Sequence, residues 1–179
     1  MLEQHWDMPL IWPQGKPLIV ASKVSAAGKQ MAAKMAIHAP GGDFEVLTDE
    51  PEKVGGENAG PNPMELLLCS LVGCNQATAN MVNERKMKLP IESINYNAEG
   101  IYDARGFFGV DGVSPTYQRV EVVANVVPKA GETITQDQLD ALAQAVASRC
   151  PVEDLFKKAG IPIEAEWRLS SRTGQPWQC

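Results

Sequence analysis

Cysteines are the residues of this chain with the widest choice of chemistry. They stand at four positions, Cys69, Cys74, Cys150 and Cys179. A cysteine can be a small buried apolar residue, a metal ligand or a redox-active thiol. Metal ligation is the weakest of the three, because Cys69 and Cys74 have no second close pair of ligands, and His5 and His38 lie far upstream. A Cys-x-x-Cys redox motif is absent as well, so any disulfide depends on the tertiary fold.

Two of the thiols lie at positions that could control their reactivity. Cys74 falls inside a helix predicted from Asn62 to about Lys88. At about 100° per residue, it shares one apolar face with Leu67, Leu71, Ala77, Thr78 and Met81. Cys150 precedes Pro151 and is predicted to be a helix N-cap, where free N–H groups, the helix dipole and the adjacent Arg149 would stabilise a thiolate. The residues alone leave a structural and a reactive interpretation open for both thiols, with Cys150 in the better electrostatic setting.

The other two cysteines are interpreted as incidental or buried. Cys69 lies about 140° from Cys74 around the predicted helix and therefore points elsewhere. Cys179 ends the sequence in a predicted tail, residues 170–179.

The elements that must position the thiols follow an α+β order. Strands are predicted at 18–26, 30–39, 44–48, 91–102, 117–127 and 161–169, and helices at 62–88, 135–148 and 152–159. The first turn is predicted at Ala27-Gly28. Because the strands cluster instead of alternating with helices, the pattern is typical of an α+β fold. We predict one domain over residues 18–169, preceded by an irregular arm, residues 1–17.

Composition excludes several classes of function. The 179 residues are 44% hydrophobic and carry a net charge of -6, which argues against phosphate-mediated nucleic-acid binding. No apolar run reaches the roughly 18 residues of a membrane span. The N-terminal residues lack the basic start and apolar stretch of a secretory signal. The sequence therefore predicts a cytoplasmic protein with reduced thiols and neither nucleic-acid nor membrane partners.

Two motifs carry a family resemblance. The first runs from Gly55 to Leu68 (GGENAGPNPMELLL), with Cys74 eleven residues after Pro63, and the second is Ser148-Arg149-Cys150-Pro151-Val152 at the start of a late helix. Together they resemble the signature of the OsmC/Ohr family, and the similarity extends over roughly residues 18–169. The loop Arg105–Gly109 also resembles a variant found in OsmC-like branches of this family.

The resemblance implies a fold and an activity. The fold would be an intertwined homodimer, with antiparallel sheets wrapped around long central helices and two active sites at the interface. The activity would be that of a peroxiredoxin-like reductase of organic hydroperoxides that serves in oxidative stress defence. In this scheme Cys74 attacks the peroxide and becomes a sulfenic acid, and Cys150 condenses with it to a disulfide. An external dithiol, for which a lipoyl-type molecule is the candidate, reduces the disulfide, and no metal or bound cofactor takes part.

The chain departs from the family pattern beside the first motif. An acid follows the motif proline in the better-known reductases and pairs with an activating arginine, whereas here Met64 has that position and Glu65 comes next. Glu65 is therefore either a catalytic acid or simply a favourable acid in a first helical turn. The cation that activates Cys74 could be Lys34, Arg105 or Arg149, or the chain could lack one.

Two other functions remain open at this point. The first is a family member without peroxidase activity, which binds a small apolar or electrophilic ligand at the dimer interface. The second is a structural dimer with incidental thiols.

Overall fold

The computed structural model describes residues 23–39 and 42–170, which form two compact units divided at Pro61 and Asn62. The predicted arm, residues 1–17, lies outside the described residues, as do residues 171–179 with Cys179. The single domain predicted for residues 18–169 stays a prediction. No helix within the described ranges is long and apolar enough to cross a membrane.

The first unit is a three-stranded antiparallel meander. Its strands are β1 (Lys23–Lys29), β2 (Ala32–Ala39) and β3 (Gly42–Thr48), in the order β1-β2-β3. The turn predicted at Ala27-Gly28 is wrong, because Gly28 lies within β1 and pairs with Ala33. The chain turns instead at Gln30, which adopts a left-handed conformation with φ 55°.

A buried carboxylate organises the glycine-rich loop that follows β3. Asp49 accepts hydrogen bonds from the backbone N–H groups of Glu50 at 2.8 Å, Glu57 at 2.9 Å and Ala59 at 3.1 Å. Gly56 must be glycine here, because a Cβ atom would lie 2.9 Å from Oδ1 of Asp49 and still closer to the Glu50 backbone. The loop is thus an ordered structure wrapped around one side chain.

These hydrogen bonds lower the pKa of Asp49 from its usual 3.8, with Ala59 and Glu57 contributing most while burial opposes them. Because the pKa of Asp49 is lower in the folded state, its ionised carboxylate stabilises the folded loop. This stabilisation is complete above the unfolded-state pKa and is lost as pH falls through the folded-state pKa. We therefore expect amide protection at Glu57 and Ala59 to fall in the acid range below 3.8. Asp49→Asn should lower that protection at neutral pH and remove its acid dependence. Hydrogen exchange followed by NMR measures both, and unchanged protection in the variant would contradict this account.

The second unit, residues 62–170, contains three helices and a three-stranded sheet. In chain order these are α1 (Pro63–Val82), β4 (Ile91–Tyr102), β5 (Tyr117–Pro128), α2 (Gln136–Ala147), α3 (Pro151–Lys158) and β6 (Ile163–Leu169). The sheet has the order β4-β5-β6, in which β4 and β5 are antiparallel and β6 lies parallel to β5. The α+β class is confirmed, with β6 as the parallel exception to the expected antiparallel sheets.

Local sequence explains both ends of α1. Asn62 and Glu65 form a capping box, in which each side chain accepts the backbone N–H of the other residue, and Pro63 occupies the first helical position. The helix was predicted to continue to about Lys88, but regular α-helix ends at Val82 and a π-helical turn follows. The reason is Asn83, whose side chain binds both backbone groups of Leu89 and pulls the chain out of the helix.

Aromatic packing fixes the start of α1 on the sheet. Tyr117 donates a hydrogen bond from its hydroxyl to the carbonyl oxygen of Met64 at 2.7 Å, and its ring stacks on Phe156. Gly100, two residues before the β4 partner of Tyr117, leaves room for this ring, because a Cβ atom there would lie 2.8 Å from Cδ1 and Cζ of Tyr117. The orientation of α1, and with it the position of Cys74, depends on this contact.

Gly100→Ala is therefore expected to destabilise the fold by about 1–3 kcal/mol, the usual cost of overpacking a core. Gly28→Ala is the matched control, because the nearest atom to its Cβ is a backbone oxygen at an ordinary 3.6 Å. Urea denaturation of both variants measures the free energies of unfolding. Equal free energies of unfolding for the two variants would mean that the Tyr117 ring can move away from residue 100 without loss of stability.

Candidate active site

Helix α1 holds Cys74 at the edge of its buried face. The buried face consists of Leu71, Asn75, Thr78, Ala79 and Val82. Cys74 is half-buried beside it and packs against the core. Leu67, Ala77 and Met81 belong to the apolar face predicted from the sequence, and all three are exposed in the single chain, Leu67 by 40% and Met81 by 39%. They form an apolar stripe that borders Cys74 on its open side.

Cys150 occupies the N-cap of α3, as its position before Pro151 predicts. Its sulfur accepts the backbone N–H of Glu153 at 3.4 Å, and the residue is only 1% exposed. The structure brings Cys150 and Cys74 together, since the two side chains interact through a hydrogen bond. Cys69, by contrast, is exposed and turned away, in agreement with the helical-wheel prediction.

The expectation of a stabilised thiolate at Cys150 is wrong. Burial and the hydrogen bond with Cys74 raise the pKa of Cys150 to about 11, and the backbone N–H groups of Glu153 and Val152 offset only part of that rise. Arg149 is not among the groups that shift this pKa, because its guanidinium donates to Ala145 and Ser148 at the end of α2. Cys150 therefore keeps its proton at neutral pH and is the natural donor of the thiol pair.

The charged residues considered from the sequence have other partners. Glu65 is bound in the capping box, nine residues before Cys74 and hence about 13 Å away along the helix axis. Arg105 is paired with Asp103 in an exposed loop, and Lys34 forms a salt bridge with Glu45 in the first unit. Neither Arg105 nor Arg149 contacts the thiols within the second unit.

Sequence reasoning missed two polar residues of this region. Asn75 Oδ1 and the Tyr96 hydroxyl are buried and have no hydrogen-bond partner among the described residues. Burial raises the pKa of Tyr96, and the charge of a Cys150 thiolate raises it further, so the hydroxyl lies within electrostatic reach of that sulfur. A tyrosine within a half-buried strand is ordinary, and no sequence signal marked this one. In residues 23–39 and 42–170, no three His, Cys, Asp or Glu side chains gather as metal ligands would.

The structure agrees with the two sequence motifs in three features. Helix α1 is capped at its start, a second cysteine stands at the start of α3, and the two thiols are in contact. The sequence model of the OsmC-like protein family matches residues 55–166, which include both thiols. The chain belongs to this family. No curated protein sequence matches it closely enough to add to this assignment.

Solved structures support the OsmC-like fold. An OsmC-like protein from Mycoplasma pneumoniae is 18% identical with a TM-score of 0.66, over 85% of this chain and 99% of that one. An OsmC-like protein of unknown function from Vibrio cholerae is 16% identical with a TM-score of 0.68, over 84% and 100% of the two chains. An organic hydroperoxide resistance protein from Elizabethkingia anophelis is 17% identical with a TM-score of 0.64, over 88% and 100%. At these identities the likeness establishes the fold.

Proposed function

We propose that this OsmC-like protein is a thiol peroxidase that reduces organic hydroperoxides through Cys74 and Cys150. One observation carries the proposal: two cysteines 76 positions apart in sequence share a hydrogen bond at the edge of the core. One of them is half-exposed and the other buried and protonated. This asymmetry gives each thiol a different role.

Cys74 is the attacking thiol. It is the more accessible of the pair, and Cys150, which retains its proton, donates a hydrogen bond to the Cys74 sulfur. The Cys74 thiolate attacks one peroxide oxygen, the O–O bond breaks, and the alkoxide leaves and takes a proton to become an alcohol. The products are a sulfenic acid on Cys74 and one molecule of alcohol.

Cys150 is the resolving thiol. Its sulfur attacks the Cys74 sulfenic sulfur, the S–O bond breaks, and the departing hydroxide combines with the Cys150 proton as water. An external dithiol then reduces the disulfide in two exchange steps and is itself oxidised to a disulfide. No metal or bound cofactor enters these steps. A lipoyl-type dithiol is the reductant that we propose, and the cytoplasm is the compartment in which these thiols would stay reduced.

The surface beside Cys74 supports an organic substrate. Leu67 and Met81 are one heptad before and after Cys74 on α1, so they flank its sulfur on the exposed side. Such a stripe gives an alkyl or aryl group apolar surface to bury, whereas hydrogen peroxide gains nothing from it. Organic hydroperoxides are therefore the proposed substrate class.

The same stripe supports the proposed homodimer. Phe107 and Phe108 are each 60% exposed on the second unit, in addition to Leu67 and Met81. A second copy that covers these side chains would bury a total of more than about 1,600 Å² in a permanent interface. Analytical ultracentrifugation at micromolar concentration tests this assembly, and a sedimenting monomer would contradict it.

Peroxide consumption tests the activity directly. The purified protein is supplied with cumene hydroperoxide or hydrogen peroxide, each with dihydrolipoamide, glutathione or thioredoxin as the reductant. We expect the fastest turnover with cumene hydroperoxide and dihydrolipoamide. Absence of turnover with every pair would refute the proposed activity.

A different function has one observation in its favour. Glu65 is engaged in a helix cap and Arg105 and Arg149 have other partners, so these three residues do not form a carboxylate–arginine pair that could activate Cys74. That arrangement would suit a member that binds a small apolar or electrophilic ligand without reducing peroxides. Rapid adduct formation on Cys74 with no peroxide turnover would favour this alternative.

A further inference from the structure

Tyr96 is a half-buried residue with a buried hydroxyl, and it has no role in the proposed cycle of the two thiols. It lies on β4, and its ring packs edge-on against Trp167 with 6.0 Å between ring centroids and 88° between the ring planes. Its hydroxyl is buried, and no group in residues 23–39 and 42–170 forms a hydrogen bond with it. A buried hydroxyl left unpaired costs free energy, so one that persists calls for an explanation.

Cys150 lies within electrostatic reach of this hydroxyl, because a negative charge on Cys150 opposes ionisation of Tyr96. Tyr96 and Cys74 both pack against the core cluster that contains Cys150. Among the described residues the phenol is consequently an O–H donor without an acceptor, in the same part of the core as a sulfur atom that is uncharged at rest. Cys150 gains charge only when it gives up its proton to attack.

We propose that Tyr96 is a positioning residue of the thiol pair, whose hydroxyl donates a hydrogen bond to the Cys150 sulfur as that sulfur becomes a thiolate. The inference rests on the proposed function, in which Cys150 attacks the Cys74 sulfenic acid. The hydrogen bond adds no atom and removes none: the Cys150 proton still leaves with hydroxide as water, and Tyr96 keeps its own proton throughout.

The other groups around Cys150 leave this role open. Helix α1 presents Cys74, which accepts a hydrogen bond from the Cys150 thiol at rest and carries an oxygen atom once it is a sulfenic acid. Helix α3 presents the N–H groups of Val152 and Glu153, while the Glu153 carboxylate is paired with Lys157 at 2.9 Å. Arg149, at the end of α2, is bound to Ala145 and Ser148. Trp167 on β6 carries no charge.

Tyr96→Phe tests the proposal, because it removes the hydroxyl and keeps the ring against Trp167. Condensation is measured by mixing reduced protein with one equivalent of cumene hydroperoxide, trapping residual sulfenic acid with dimedone at set times, and counting disulfide by mass spectrometry. We expect condensation to slow about ten-fold, which corresponds to one hydrogen bond to a charged group. The melting temperature should stay the same or rise, since no hydrogen bond is lost. Tyr102→Phe, a change of the same kind six residues along β4, is the matched control and should condense at the wild-type rate.

A second measurement needs no peroxide. In the Cys74→Ser protein, the pH dependence of iodoacetamide labelling at Cys150, read by peptide mass spectrometry, reports when this thiol ionises. We expect Tyr96→Phe to move the midpoint about one pH unit upward, the equivalent of a ten-fold change, and Tyr102→Phe to leave it in place.

The outcomes separate the two proposals. If the wild-type protein forms neither sulfenic acid nor disulfide, the proposed peroxidase function fails, and labelling alone then decides the role of Tyr96. If the wild-type protein condenses normally and Tyr96→Phe matches it in both rate and labelling midpoint, the inference about Tyr96 is overturned while the function stands.

Discussion

Cys74→Ser is expected to lower peroxide turnover by more than about 10³-fold, because removal of a nucleophile takes away the whole covalent pathway. No sulfenic acid should form on the remaining pair residue, since Cys150 is 1% exposed and its pKa is raised to about 11. Turnover is measured with cumene hydroperoxide and dihydrolipoamide, and sulfenic acid is trapped with dimedone after one equivalent of peroxide.

Cys69→Ser is the matched control for this experiment. It makes the same change on the same helix, but at an exposed position turned away from the thiol pair, so turnover should stay near the wild-type value. Oxidation of Cys150 at the wild-type rate in the Cys74→Ser protein would reverse the assignment of attacker and resolver.

Cys150→Ser should stop the cycle at a different point. Cys74 remains able to attack, so each site should rapidly consume one peroxide and then stop cycling, because no second thiol is available to displace the hydroxyl group. The Cys74 sulfenic acid should accumulate, and excess peroxide should carry it to sulfinic acid, which a dithiol does not reverse. The serine hydroxyl also keeps a donor near Cys74, so the first attack should be slowed less than turnover is.

Rapid-quench mass spectrometry distinguishes these stages through one added oxygen on Cys74 and later two. Sustained turnover of the Cys150→Ser protein with dihydrolipoamide would show that the external dithiol resolves Cys74 directly. Cys150 would then have no role in the cycle.

Much of the fold was predictable because its signals are local. The Asn62–Glu65 capping box and the prolines Pro63 and Pro151 mark where α1 and α3 begin, and the structure has both features. The same starting points fix the places of Cys74 and Cys150 on their elements. Contact between the thiols was expected from the family resemblance alone, since nothing in their separation along the chain requires it.

Other features were not predictable because they depend on the neighbours that each residue finds in the fold. A helix N-terminus suggested a thiolate at Cys150, but burial outweighs the nearby N–H groups and raises its pKa. The helical wheel grouped Leu67 and Met81 with Leu71 on one apolar face, yet the elements packed on α1 cover only an adjacent arc centred on Leu71 and Val82. The unpaired hydroxyl of Tyr96 exists only because the sheet brings it to Cys150.

The central claim is that Cys74 and Cys150 form one redox pair, and disulfide mapping tests it most directly. Fully reduced protein receives one equivalent of cumene hydroperoxide per chain, free thiols are blocked with iodoacetamide, and peptides are analysed by mass spectrometry without reduction. The account predicts a stoichiometric disulfide between Cys74 and Cys150, with Cys69 still alkylated as a free thiol. A disulfide that pairs Cys69 with either of them, or full recovery of alkylated Cys74 and Cys150 after peroxide, would contradict it.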